Sequence, residues 1–580
     1  METAHTLPTA SEQFQQTVQS KIQNPKSKIA LILLLFVLIG YIVYPAVRVV
    51  WESFFRDGQA TLRNYREFFD LGHRANLEAL MNSLALSAGS VLLSALIGVP
   101  LALIFSSYEF PGRAVFASLA TVPIVLPPLV GVIAFMFLYS ESGIVPRLLQ
   151  TLFGLDDVPF SLRGVWAILV VHAYTMYVFF YLFTAAALKG IDPSVEEAAV
   201  NLGASRWFRF RTVVLPLLTP ALVAAALLVF MTSMASFSAP FIFAGGFRVL
   251  SLSIYTSKLN GDMAMAITQT VVLSACSLSV LVGLRRYEGR RRYAMSGKGV
   301  AARRRAVRGR WTRFLFGGIG IMATIVLLLP HLTILLISFV KDGTWTWQLL
   351  PTTYTAENYR RLFDDPRVFE PITNSLTMAT LATAGDVGIG LAAAYLVVKG
   401  RIRGRRTLDA LVMIPWALPG TVVALNLIVS FSQATPFSLG QVLVGTVWLL
   451  PIAYGIRHLP IVFRSTAAAL EQVDDSVEEA ARSLGATWGY AFRRVTLPLI
   501  RPGVLAGTLL AFVTALGEFV SSILLYVYKN RPISVEILSQ LRQFNFGSAA
   551  AYGVLLLVLV SAVLLASSVT AEETAERSPS

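Results

Sequence analysis

Long apolar runs separated by short polar interruptions fill almost the whole chain. In the first half they cover about 29–50, 80–106, 115–139, 162–187, 213–235 and 265–284. In the second they cover about 314–340, 372–398, 408–431, 440–463, 495–517 and 549–568. Each reaches the roughly 20 residues that a helix needs to cross a hydrocarbon core. In lipid, backbone groups must be satisfied within each segment, so the runs predict helices. The fold class is therefore all-α integral membrane, with about 12 transmembrane helices in two parallel-repeated six-helix domains. The polar remainder is a tail at 1–28, a linker at 285–313 between domains 29–284 and 314–568, and a tail at 569–580.

Two of the polar interruptions are near copies. Asp192–Pro220 and Asp474–Pro502 align without gaps, and 17 of 29 positions are identical. Glu197-Ala198-Ala199 answers Glu479-Ala480-Ala481, Gly203 answers Gly485, and Leu215-Pro216 answers Leu497-Pro498. Asp192 is a good N-cap and Pro193 suits the first helical position, although Ser194 with Glu197 has capping-box spacing too. Gly203 suits a left-handed helix end. The reading is a short helix, a turn and a second helix at a membrane surface.

The duplication extends beyond these loops, as a search for internal repeats requires. Asn82-Ser83-Leu84, Gly98, Gly112-Arg113, Pro123 and Pro127 recur at an offset of 292, as Asn374-Ser375-Leu376, Gly390, Gly404-Arg405, Pro415 and Pro419. The loops themselves recur at an offset of 282, from Glu197 to Glu479. The second half has thus lost about ten residues between its third and fourth spans, where an outside loop tolerates a change of length.

Composition agrees. The chain is 55% hydrophobic and 14% charged, too few charges to cover a soluble protein of 580 residues. Net charge is +15, but the basic residues sit between spans, which favours an orientation signal over nucleic acid. Residues 285–313 hold twelve Lys or Arg and one acidic residue, Glu288. The positive-inside rule puts them in the cytoplasm; counting two crossings back and four forward puts both duplicated loops on that side, and six either way puts both termini there. The run at 29–50 is too long for a signal-peptide core. Cys276, alone, cannot form an intrachain disulfide.

The pattern Glu-Ala-Ala, three residues, Gly, nine residues, then aliphatic-x-Leu-Pro, with Val213 or Val495 as the aliphatic, resembles the EAA loop of ABC importer permeases. The chain resembles a fused two-domain permease of the binding-protein-dependent importers. The resemblance implies a location in a bacterial cytoplasmic (inner) membrane. It implies two copies of an ABC ATPase subunit, each docked on one loop through Glu197, Ala198, Ala199 and Gly203 or Glu479, Ala480, Ala481 and Gly485. It also implies an extracytoplasmic substrate-binding protein. Fused double permeases of this layout resemble iron(III) and thiamine importers, and Asn530–Ser534, Gln540–Arg542 and Phe546-Gly547 look most like permeases for ferric iron. Polyamine, sulfate and other small solutes remain alternatives, as does an ion-gradient-driven secondary transporter, for which inverted repeats are more typical.

Chemistry within the chain is sparse. No Walker A pattern is present, so ATP hydrolysis needs a separate subunit, and the chain reads as a non-enzyme without a cofactor. The five His residues show no metal-ligand spacing, and no metal ligands are assigned. Ionisable groups in hydrocarbon usually face the bundle interior. Asp386 lies midway along its span and Glu518 at the end of the eleventh; their first-half equivalents are Ser94 and Ser236. Glu518 either lines a pathway, or caps a turn or meets an arginine. Asp386 is a pathway candidate that reads better as a partner for another helix. Ser236 and Ser238 are weaker candidates, because Ser packs readily between membrane helices. His172 falls inside a span and either lines a pathway or, the better reading, is a buried, hydrogen-bonded histidine. Pro123, Pro127 and Pro128 against Pro415 and Pro419 mark helix breaks at matching depths.

Overall fold

The computed structural model describes residues 25–72, 74–290, 305–307, 309–345, 348–400 and 404–576. Most of the expected tail 1–28, residues 291–304 of the linker and residues 577–580 lie outside the described residues. The main helices of the first half are α1 (Leu31–Glu52), α2 (Ala75–Ser107), α3 (Pro128–Tyr139), α4 (Gly164–Lys189), α5 (Pro193–Asn201), α6 (Leu215–Met234), α7 (Ser238–Phe243) and α8 (Met263–Arg290). The second half follows with α9 (Arg310–Ser338), α10 (Pro366–Val398), α11 (Arg405–Ala417), α12 (Gly420–Phe431), α13 (Leu449–Glu471), α14 (Asp475–Ser483), α15 (Leu497–Leu516), α16 (Val520–Leu525) and α17 (Phe546–Glu576). Among the described residues, strands are confined to two short two-stranded pairings and one isolated bridge.

Ten helices among the described residues are long and apolar enough to span a membrane, with the bent pair α11 and α12 as an eleventh. The pair bends by 107° between Ala417 and Gly420. Pro415 and Pro419 supply no backbone N–H there, so the hydrogen-bond ladder is interrupted. In the first half the expected run 115–139 breaks likewise, into Arg113–Leu119, a 3-10 turn at Val122–Val125 and α3, at Pro123 and Pro127. The expected run 440–463 is corrected to α13, which starts at Leu449. Leu439, Gly440 and Gly445 adopt positive φ and keep the preceding segment out of a helix. Arg457, His458 and Arg464 lower the apolar character of α13, which is not among the ten helices long and apolar enough to span a membrane.

Close helix contacts recur at the duplicated glycines. A Cβ on Gly98 would strike the Tyr177 carbonyl where α2 crosses α4, and one on Gly390 would meet Phe463 N at 3.2 Å where α10 crosses α13. Small residues let helix backbones approach in a membrane, where dispersion replaces hydrophobic driving force.

The first helix of each half packs on the other half. From α1, Tyr41 OH donates to the Phe437 carbonyl at 2.8 Å, and Phe36, Tyr41 and Tyr44 form ring contacts with Phe431 and Phe437 at and beyond the end of α12. Reciprocally, Tyr174 OH of α4 donates to the Leu327 carbonyl of α9 at 2.7 Å, and a Cβ at Gly320 would strike Phe116. The halves are interlocked, and the seam between them includes the rings that follow α6 and α15, Phe237 and Phe241 against Phe519.

Candidate functional site

Each duplicated loop opens with the same cap. The Asp192 carboxylate accepts from Ser194 N at 2.9 Å and Asp474 from Ser476 N at 2.8 Å, which identifies the aspartates as the N-caps. Those backbone donors hold both carboxyls below the usual carboxylate range. Each helix then closes with a Schellman motif. Ala204 N donates to Ala199 O at 3.0 Å and Gly203 N to Val200 O at 2.9 Å; Ala486 N and Gly485 N do the same to Ala481 O and Arg482 O. The motif needs a left-handed residue, and Gly203 and Gly485 sit at φ +78° and +87°. After the turn each chain re-enters the bundle through a π-helical turn, Phe210–Val214 or Phe492–Thr496. It directly precedes Leu215-Pro216 or Leu497-Pro498. The wider turn makes room for a proline that can neither donate to the residue four back nor tolerate its carbonyl.

Adjacent glutamates in each loop face different ways. Glu196 turns inward to Arg305 at 2.6 Å and Arg209 at 3.5 Å. Its equivalent Glu478 accepts from Tyr395 OH at 3.1 Å, which in turn accepts from Trp488 Nε1 at 2.7 Å. Glu197 and Glu479 are both exposed, and neither forms an ion pair among the described residues. Leu202 and Leu484, at the loop tips, are 88% and 89% exposed, so nothing among the described residues covers them. Sequence reasoning missed the inward role of Glu196 and Glu478. The doubled Glu-Glu in both copies was the available signal, since two neighbouring helical positions point about 100° apart and cannot share one partner.

At the far end of the loop-led helices α6 and α15, about 30 Å along a 20-residue helix, the halves touch through aromatic rings. Phe237 and Phe519 are equivalents at the loop offset, and their ring centroids lie 5.9 Å apart. Phe241 lies 6.1 Å from Phe519, and Tyr255 packs edge-on against Phe237 and Phe241 at 5.4 and 5.8 Å. Arg542 lies over the Phe241 ring, and Lys258 Nζ reaches across to the Leu524 carbonyl at 3.0 Å. Phe237 and Phe519 are 1% and 2% exposed, so the seam is closed here. Sequence reasoning missed this cluster, although the loop offset carried a few positions past Met234 finds it.

Glu518, directly before Phe519, is buried and fully engaged. Its Oε2 pairs with Arg457 Nε at 3.2 Å, and its Oε1 accepts from Ser521 N at 2.9 Å. It therefore both meets an arginine and caps a turn. Ser236 holds the matching place and exchanges a 2.8 Å hydrogen bond with His172 Nε2, whose Nδ1 meets Ser90 at 2.9 Å. His172 is thus buried and hydrogen-bonded. Ser238 is buried at the start of α7. Asp386 stands apart: it is buried against Gly455 of α13, and its Oδ2 has no hydrogen-bond partner, like the hydroxyl of its equivalent Ser94. No group of three or more His, Cys, Asp or Glu side chains gathers among the described residues.

Known proteins bear on this arrangement. The family model for the binding-protein-dependent transport system inner membrane component matches residues 94–293 and again 386–571. The chain is 29% identical over 513 residues to the probable ABC transporter permease protein y4fN of Sinorhizobium fredii, covering 88% of this chain and 90% of that one. It is 29% identical over 547 residues to the ferric transport system permease protein FbpB of Actinobacillus pleuropneumoniae, covering 92% and 77%. It is 32% identical over 220 residues to the sulfate transport system permease protein CysT of Salmonella typhimurium, covering 36% of this chain and 76% of that one.

Proposed function

Because the chain belongs to the family of binding-protein-dependent transport system inner membrane components, we propose that it forms the whole membrane pathway of an ATP-driven importer. Two copies of a separate ATPase dock on the cytoplasmic face, one at each loop, and an extracytoplasmic binding protein delivers the solute. Residues 29–284 and 314–568 are its two permease domains, joined by a cytoplasmic linker at 285–313, with both termini in the cytoplasm.

One observation carries the reading. The same capped helix, left-handed turn and exposed leucine tip is built twice, and each copy leads through a continuous helix to a ring in a closed seam. ATPase closure draws the two loops together. The helices transmit that movement to Phe237 and Phe519, whose separation opens the seam on the face opposite the ATPases. Glu197 and Glu479 meet basic groups of the ATPase, Leu202 and Leu484 fill its apolar groove, and Glu196 and Glu478 hold the loops to the bundle. Glu518, Ser236 and Ser238 adjoin the seam rings and face the path, whereas Asp386, buried against Gly455, serves as a partner for α13.

Iron(III) is the favoured solute, because a ferric permease aligns over 92% of the chain whereas the sulfate protein aligns over 36%. The chain is reconstituted in proteoliposomes with the ATPase and binding protein from its own operon, and uptake of radioactive iron(III), thiamine, spermidine and sulfate is measured. ATP-dependent iron uptake that requires the binding protein supports the proposal. Uptake driven by an ion gradient without the ATPase refutes the importer reading. ATP-dependent uptake of another solute refutes the iron assignment alone.

A further inference from the structure

Each half clasps the residue that precedes its seam phenylalanine, and the two clasps differ in kind. In the first half the clasp is neutral: His172 binds Ser236, and the Ser236 carbonyl accepts from Ser251 Oγ at 2.6 Å. In the second it is ionic. Glu518 joins Arg457 of α13 to the N-terminus of α16 through Ser521 N. At the loop offset the counterparts of Arg457 and His458 are Thr175 and Met176, so the first half has no equivalent ions.

Position makes this pair more than a structural bridge. Gly517, one residue before Glu518, lies against Pro127 of the first half, with 3.4 Å from its Cβ position to Pro127 Cβ. Phe519, one residue after, meets Phe237 and Phe241 of the first half. Glu518 is therefore flanked on both sides by contacts across the seam, while its side chain is tied back into its own half. The guanidinium that holds it has little freedom. Arg457 lies so close to Gly420 that any Cβ there would collide with it, and its Nη1 is buried without a partner. His458 Nε2 stands 4.0 Å from the same carboxylate oxygen and makes no hydrogen bond.

We infer that Arg457 is a positioning residue for the transport cycle. Through Glu518 it latches Phe519 into the closed seam, and the two halves release their rings unequally, the neutral first-half clasp before the ionic one. The inference rests on the importer reading above. A charge-assisted hydrogen bond in a membrane interior is stronger than a neutral one, and it gives way only when the α15–α16 junction moves as a unit.

The test uses the full complex in proteoliposomes and two readouts. One is ATP hydrolysis without the binding protein. The other is labelling of F241C, in a C276S background, by a membrane-impermeant maleimide without nucleotide. Removing one charge leaves the other buried and unpaired, so R457Q or E518Q alone is expected to reduce insertion. The double neutral variants R457Q/E518Q and R457M/E518L remove that penalty and also the latch. At wild-type levels of insertion they are expected to hydrolyse ATP and label about ten-fold faster or more, the scale of one lost charge-assisted hydrogen bond. R457K, which keeps the charge, is expected to restore slow labelling. Double variants that insert normally and remain as tightly closed as wild type overturn the latch. So does failure of both to insert, which makes the pair a structural requirement. Absence of ATP-driven uptake by the wild-type complex indicts the importer reading instead.

Discussion

Valine at both Gly203 and Gly485 isolates the loops from the rest of the molecule. The two positions have φ +78° and +87°, and a Cβ at either meets nothing within 4 Å. No clash arises, and the cost is backbone strain alone, about 1–2 kcal/mol per residue for an L-side chain in the left-handed region. The sites belong to separate loops, so the costs add to about 2–4 kcal/mol. At about 1.4 kcal/mol per factor of ten, the doubly docked geometry becomes about 30- to 1,000-fold rarer. Both turns are exposed and outside the apolar bundle, so insertion is expected to stay normal. Uptake in proteoliposomes, normalised to inserted protein, should fall to background for G203V/G485V. Asparagine tolerates the left-handed region, so G203N/G485N should retain most of the activity. Undiminished uptake by the valine pair would remove the loops from the mechanism.

Other expectations follow from the same geometry. E197K with E479K should abolish co-purification of the ATPase while leaving the chain's thermal stability near wild type, because both side chains lie on the outer surface of the loops; retained ATPase would overturn their assignment. E196Q should loosen the first loop, seen as faster amide exchange across Pro193–Asn201, while Y395F should do the same only for Asp475–Ser483. The Asp192 and Asp474 carboxyls are depressed in the folded chain, so their capping is complete above about pH 4 and is lost as pH falls below that. Amide exchange at Ser194 and Ser476 should rise on acidification, corrected for intrinsic rates, and D192N/D474N should abolish that dependence because Asn caps without ionising. A short bis-maleimide should join F237C to F519C in a C276S background and block uptake; efficient joining that leaves uptake intact would place the path elsewhere.

Much of this is legible in the residues because the signals are local. Asp192, Ala199 and Gly203 specify a helix, its cap and its turn within twelve positions, and the repetition at Asp474, Ala481 and Gly485 doubles the information. Apolar run length marks the spanning helices in the same way. The bend between α11 and α12 is harder to read, because two sharply angled apolar helices have the hydropathy of one straight helix. Pro415 and Pro419 mark the break without its angle. The start of α13 falls well inside its apolar run, because Val442–Trp448 is largely apolar yet not helical. Pairings across long separations leave at most an indirect trace: the loop offset matches Phe237 to Phe519 without saying that they touch. Glu518 with Arg457, and Phe237 with Phe519, depend on how helices distant in sequence are brought together. Glu518 stands out as a charge in lipid, and Arg457 lies inside an expected span too, but the two sit on different helices and nothing in the sequence pairs them.

The interlocking of the halves has a consequence for how the molecule is made. Tyr41 finds its acceptor 396 residues further along the chain, so α1 enters the bilayer long before its own groove has been synthesised. Until Phe431 and Phe437 emerge, its aromatic face can only be shielded by lipid or by an insertion chaperone. A covalent link between the halves keeps the groove at high effective concentration when it arrives and ensures that each α1 meets the groove of its own polypeptide. Gene fusion here answers a problem of biogenesis as much as one of transport.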